Sequence, residues 1–108
     1  MFATTEEISQ YVRLSLKEHG LTNISFSFKD LPRSLGYFHL EGNEIVFSFK
    51  ALKNFVLFSE VCKHEICHAL DARERGGFKT NGKNDFHGKN WKKYCRQLKI
   101  PARRFIPA

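Results

Sequence analysis

Acidic residues are missing from the last fifth of this chain: residues 87–108 hold Lys89, Lys92, Lys93, Arg96, Lys99, Arg103 and Arg104, and no Asp or Glu. Residues 1–86 balance at eleven cations against eleven anions, so the whole net charge of +7 sits at one end. That polarity fits a polyanionic partner, most plausibly nucleic acid, met through its phosphate backbone and so largely without regard to sequence. Cysteine is scarce: Cys62, Cys67 and Cys95 are odd in number and follow no framework spacing. This excludes a stapled, secreted domain and makes a cytoplasm the expected compartment, a host's if the chain is phage-encoded, with three thiols that pack as small buried residues. No apolar run approaches the roughly 20 residues that cross a bilayer. The start, Met1 to Glu7, lacks the basic-then-apolar layout of a signal peptide. No membrane partner is expected. Repeats, low-complexity tracts and interdomain linkers are also missing, and the 108 residues read as one domain, 1–108, with a monomer expected.

What the chain has in quantity is aromatic surface: eleven Phe, three Tyr and one Trp stand in for many aliphatics in a single small core. Thr4-x-x-Glu7 reads as a capping box ahead of Ile8, Tyr11, Val12, Leu14 and Leu16, a first amphipathic helix stopped near His19-Gly20. Ile24, Phe26 and Phe28 then alternate with polar residues, the period of a half-buried strand, until Leu31-Pro32-Arg33-Ser34 breaks it. Two more strands are expected at about Leu35 to Leu40 and Glu44 to Phe49, with Gly42-Asn43 as a tight hairpin turn. The expected class is α+β, with a small three-stranded antiparallel sheet. Asn54 is placed to cap a second helix that runs through Leu70 and ends at Gly76-Gly77. The stretch Lys79 to Asp85, with Asn81-Gly82 inside it, reads as an exposed loop. A last helix covers about Lys89 to Leu98 and is closed by Pro101; Trp91, Cys95 and Leu98 share the face that packs it on the core.

The second helix carries His64-Glu65-Ile66-Cys67-His68. Residues four apart on a helix lie one turn above each other, so both imidazoles project to one side. Two neutral imidazoles at this spacing are half of a tetrahedral zinc site, and the adjoining carboxylate of Glu65 reaches a water on the metal. A catalytic zinc takes three protein ligands and leaves one position open. His87, at the mouth of the last helix, is the leading candidate for the third ligand, and Asp85 is its rival. His19 and His39 read as ordinary residues, and Asp71 as a solvated charge or a partner of Arg75, with a bond to a ligand imidazole as its lesser alternative.

HExxH followed by His87-Gly88-Lys89-Asn90-Trp91, with Pro101-Ala102-Arg103-Arg104 at the end, resembles the SprT-like metallopeptidases, the family that includes the Spartan proteases. The resemblance spans roughly residues 5 to 104. It implies a minimal zincin-like domain, with one zinc ion held by His64, His68 and His87 and with Glu65 as general base. It also implies a zinc-dependent endopeptidase acting on DNA-associated or DNA-crosslinked proteins. The span from His68 to His87 is longer than the family pattern, which makes Gly76 to Asp85 an insertion placed as a lid or substrate contact. No cysteine-rich ribbon follows the motif region. Tyr37, His39 and backbone amides are candidate stabilisers of the oxyanion. Lys89, Lys92, Lys93, Arg96 and Lys99 recur at helical spacing and, with Arg103 and Arg104, form the candidate DNA-contacting stripe; its plain alternative is a solvated face. Two other functions compete: a DNA- or protein-binding module with structural or vestigial zinc closed by a fourth ligand such as Cys95 or Asp85, and an ImmA/IrrE-like protease of a single regulator.

Overall fold

The computed structural model describes residues 3–76, 79–80, 83–84 and 87–103. It is an α+β arrangement of three helices around a small sheet, with elements α1 (Thr5–Glu18), β1 (Ser25–Lys29), β2 (Gly36–His39), β3 (Glu44–Ser48), a 3-10 turn (Phe49–Lys53), α2 (Phe55–Arg75), β4 (Lys79–Thr80), β5 (Lys83–Asn84) and α3 (Lys89–Gln97). Helix α1 begins as its capping box dictates: the Glu7 amide donates to Thr4 Oγ1 at 3.1 Å, and the Thr4 amide donates to Glu7 Oε1 at 3.0 Å. Gly20, in the left-handed region at φ 71°, turns the chain away, and the Arg73 guanidinium donates to its carbonyl at 3.0 Å. Ile8, Val12 and Leu16 are buried, whereas Leu14 lies on the outer face.

The sheet departs from the antiparallel expectation. Its order is β1-β3-β2, with β3 in the middle, antiparallel to β2 but parallel to β1. The composition of β3 explains its central place. Ile45, Val46 and Phe47 form a continuous apolar run with every side chain fully buried, the mark of a strand covered on both faces. Of the flanking strands, β1 alternates polar and apolar residues and β2 alternates half-buried and exposed positions, as edge strands with one solvated face do. The hairpin from β2 to β3 turns at Gly42-Asn43 as expected: Asn43 takes φ 47°, and the Gly42 amide donates to His39 Nδ1 at 3.2 Å. With that hairpin set, β1 reaches its seat beside β3 only by a crossing of residues 30–35 past the end of the central strand.

Within the stretch expected to be an irregular loop, β4 and β5 pair as a short antiparallel ladder. The Asn-Gly dipeptide between them is a favoured hairpin signal, and it supplies the physical reason. Asn81, Gly82 and Asp85, and the second glycine of the Gly76-Gly77 stop, lie outside the described residues; Gly76 itself closes α2 at φ 68°.

Helix α2 runs through the middle of the molecule. Asn54 caps it, its Oδ1 accepting from the Leu57 amide at 2.8 Å. Phe58, Val61, Cys62, Ile66, Ala69 and Leu70 face the main core, joined there by α1, by Ile45 and Phe47 of β3 and by Ala51 and Leu52 of the 3-10 turn. Phe28, Phe47 and Phe58 meet ring to ring, with centroids 5.1–6.3 Å apart. The stripe His64, Cys67, His68, Asp71 faces a different direction at helical spacing, toward Trp91 and Cys95 of α3.

Gly36 lets β2 lie down on α2. A Cβ at that position would stand 3.0 Å from the Val46 carbonyl oxygen, 3.2 Å from Val61 Cγ1 and 3.7 Å from Glu65 Cγ. Gly36→Ala is therefore expected to lower unfolding free energy by about 1–3 kcal/mol through overpacking, read by urea denaturation. An unchanged midpoint would show that strand and helix separate without cost.

Candidate metal centre

Helix α2 presents His64, Glu65 and His68 within a single turn, all three buried at 6 %, 4 % and 8 % exposure. His87 arrives from the segment just before α3, whose N-terminal cap is Gly88. The structure brings these three histidines together: one nitrogen from each lies within 4.8 Å of the others. Their ring centroids are 4.9 Å apart for His64–His68, 5.8 Å for His64–His87 and 4.8 Å for His68–His87. Among the described residues this is the sole grouping able to hold a metal ion, and neither Cys95 nor His19 nor His39 belongs to it.

Trp91 forms the floor. Its ring stacks on His68 at 5.3 Å and 17°, and it meets His64 and His87 edge-on at 5.1 and 4.7 Å. The tryptophan expected simply to pack α3 on the core does so, fully buried with Cys67 and Cys95, and it also fixes the planes of all three imidazoles. Sequence spacing alone could not show that second role, because it depends on how α3 crosses α2.

The donor set fits zinc. Burial, with the neighbouring His87 adding to it, pushes the His64 imidazole down to about 4, so it is neutral and able to donate a lone pair at pH 7. Nitrogens sharing one zinc at about 2.0–2.1 Å each lie roughly 3.3 Å apart, a short inward rotation from the spread seen here. The rings are also those of a borderline-soft ion's preferred ligand.

Glu65 sits on the same helix but is turned toward β2, and no hydrogen bond or ion pair reaches it among the described residues. Burial pushes its carboxyl up to about 8. A carboxylate hidden this thoroughly and given no cationic partner is poor for stability, and its place beside the histidines supplies a chemical reason for keeping it.

Other candidates separate. Strand register puts Gly36 and Phe38 opposite Phe47 and Ile45, on the face toward α2, so Tyr37 and His39 leave from the opposite face. Neither side chain lies on the Glu65 side of β2. Cys95 hydrogen-bonds with Cys67 beneath the histidines, and that contact together with burial raises the Cys67 thiol. Asp71 is paired with Arg75 as expected, with Nε to Oδ1 at 2.7 Å, but it is fully buried rather than solvated. It also accepts from Asn90 Nδ2 at 2.9 Å, a partner the sequence reading missed.

In the basic stripe, Lys93 is engaged by Glu74 at 2.8 Å and Arg103 by Glu60 at 2.7 Å. Lys89, Lys92, Arg96 and Lys99 remain exposed with no acidic partner among the described residues, at spacings of three, four and three. Arg104 and the rival ligand Asp85 lie outside the described residues.

The sequence model of the SprT-like family matches residues 4–107, nearly the whole chain. No curated protein and no solved structure matches it.

If the three imidazoles act as one donor set, His87→Ala removes a third of it. Zinc is expected to raise the melting temperature of the parent strongly, since binding at 100 times Kd adds about 2.7 kcal/mol, and to do so far less for the variant. Equal thermal shifts for both would exclude His87 from the site.

Proposed function

Since the chain belongs to the SprT-like family, we propose that it is a zinc-dependent endopeptidase, hydrolysing peptide bonds in proteins associated with DNA. The observation that carries this reading is the convergence of His64, His68 and His87, from two separate segments, one residue away from a buried carboxyl with no partner among the described residues. When bound, zinc would supply a Lewis acid that polarises a carbonyl and acidifies water. The remaining work falls to the chain. Glu65 accepts a proton from the attacking water and returns it to the leaving amide nitrogen, a task suited to a carboxyl whose affinity for protons burial has raised. Trp91 excludes water from beneath the histidines and holds their ring planes.

Glu65→Gln separates binding from chemistry. The amide keeps the shape of the carboxylate, so zinc stoichiometry should be that of the parent, while casein cleavage falls by at least about a hundredfold, the low end for a lost general base. A variant that cuts at the parental rate would remove Glu65 from the mechanism. Of the two fourth ligands that a structural-zinc reading called for, Cys95 is buried against Cys67 and Trp91, outside the histidine cluster, and Asp85 lies outside the described residues.

Nucleic acid is the proposed recruiting partner, through the exposed ridge of Lys89, Lys92, Arg96 and Lys99. No acid neutralises this row among the described residues, and each phosphate contact would release a counterion. Lys93 and Arg103, already held by Glu74 and Glu60, contribute less. Lys92→Glu with Arg96→Glu is expected to weaken binding to single-stranded DNA and to flatten its log–log salt dependence by about 1.4, at roughly 0.7 per lost phosphate contact. Lys93→Glu should alter the slope less. An unchanged slope in the double variant would dismiss the ridge.

A further inference from the structure

We infer that Asp71 and Asn90 form a latch that sets His87 against His64 and His68, which makes both of them positioning residues for the metal centre. The inference rests on the reading of the three histidines as one donor set.

His68 and Asp71 are three residues apart on α2, and His87 and Asn90 are three residues apart across the start of α3. The Asn90 amide donates to Asp71 Oδ1 at 2.9 Å. The link between the two segments thus lies the same distance in sequence beyond each ligand, about one helical turn. Gly88 opens α3 with no side-chain cap, so no cap fixes the chain where it leaves His87. Asp71 is fully buried and takes two bonds from Arg75 of its own helix, Nε to Oδ1 at 2.7 Å and Nη2 to Oδ2 at 2.9 Å. A buried carboxylate clamped in this way has one orientation, and Asn90 is the donor that ties it to the other segment. Three residues further along both helices, Lys93 donates to Glu74 at 2.8 Å, but there both side chains are substantially exposed and long. The buried rung fixes position, whereas the exposed one is screened by water.

The test measures zinc affinity on the full chain by competition with a chromogenic chelator, alongside the melting temperature of the zinc-free protein. Asn90→Ala is expected to stay folded without metal and to bind zinc about tenfold more weakly. Glu60→Gln breaks the exposed Arg103 pair that ties α2 to the segment after α3 and should bind zinc within about twofold of the parent, because an exposed pair does not set position. Asn90→Asp sets two carboxylates against each other and should bind zinc more weakly than the parent; adding Asp71→Asn should recover part of that loss. Parental zinc affinity in folded Asn90→Ala overturns the latch and leaves the metal reading intact, as does an equal loss in Glu60→Gln. Should Asn90→Ala fail to fold, equal affinities for Asn90→Asp and the exchanged pair overturn the latch. A parent that takes up no stoichiometric zinc brings down both readings together.

Discussion

Besides two thiols, helix α2 hides the ionisable side chains of His64, Glu65, His68 and Asp71, each less than 9 % exposed, and the remaining elements answer that burden. Hiding a charge or an unsatisfied polar group costs far more than a hydrophobic contact returns, so each must be neutral, paired or reserved for a ligand. Two of these solutions are plain within two turns: His64 is held neutral by burial and by its neighbour His87, and Asp71 is paired by Arg75 and bonded by Asn90. Glu65 has no hydrogen bond or ion pair among the described residues. Only the last is expensive without return in a purely structural helix. Its place one residue from the histidine cluster is what the proposed function draws on for its base.

The two faces of α2 divide the labour. Phe58, Val61, Cys62, Ile66, Ala69 and Leu70 anchor the helix to the sheet and to α1 by apolar burial, which is indifferent to small shifts in angle. The stripe His64, Cys67, His68, Asp71 instead meets α3 through rings, thiols and a carboxylate, contacts that are direction-sensitive. A non-directional core can hold the helix in place while the directional face sets angles between imidazoles. Gly36 belongs to the first system but bears on the second. By letting β2 settle against Val61 and the Glu65 Cγ, it brings the strand up to the side chain of the buried carboxyl.

Much of this was legible in the residues. The capping box at Thr4, the Asn54 cap and the Gly76 stop are local signals, read from short strings and realised by hydrogen bonds within those strings. The approach of His87 to His64 and His68 was expected from chemistry, since two imidazoles call for a third, and the match to the family model agrees with the resemblance drawn from the same motif. What the residues did not disclose is neighbourhood. Alternation in β1 tells which side chains face inward but not which strand lies beside it, and the hairpin signal at Gly42-Asn43 suggested antiparallel pairing throughout. The continuous run Ile45-Val46-Phe47 did carry the clue, because a strand buried on both faces belongs in the middle. Asn90 and the pairing of Lys93 and Arg103 were hidden for the same reason: their partners are 19 and 43 residues away in sequence.

Those pairings also sharpen the electrostatics. A tally of charge along the chain treats every cation past residue 86 alike, yet three-dimensional structure spends two of them on holding α3 and the following segment against α2. The surviving row is narrower than the sequence suggested: Lys89, Lys92 and Arg96 lie along α3, and Lys99 follows just past its end, where it takes φ 59° and leaves the helix. Because α3 begins two residues after His87, anything drawn to that line is brought to the helix whose start carries the third imidazole. Recruitment and chemistry would then share one rigid element, with Asn90 and Trp91 on its inner face and the cations on its outer one.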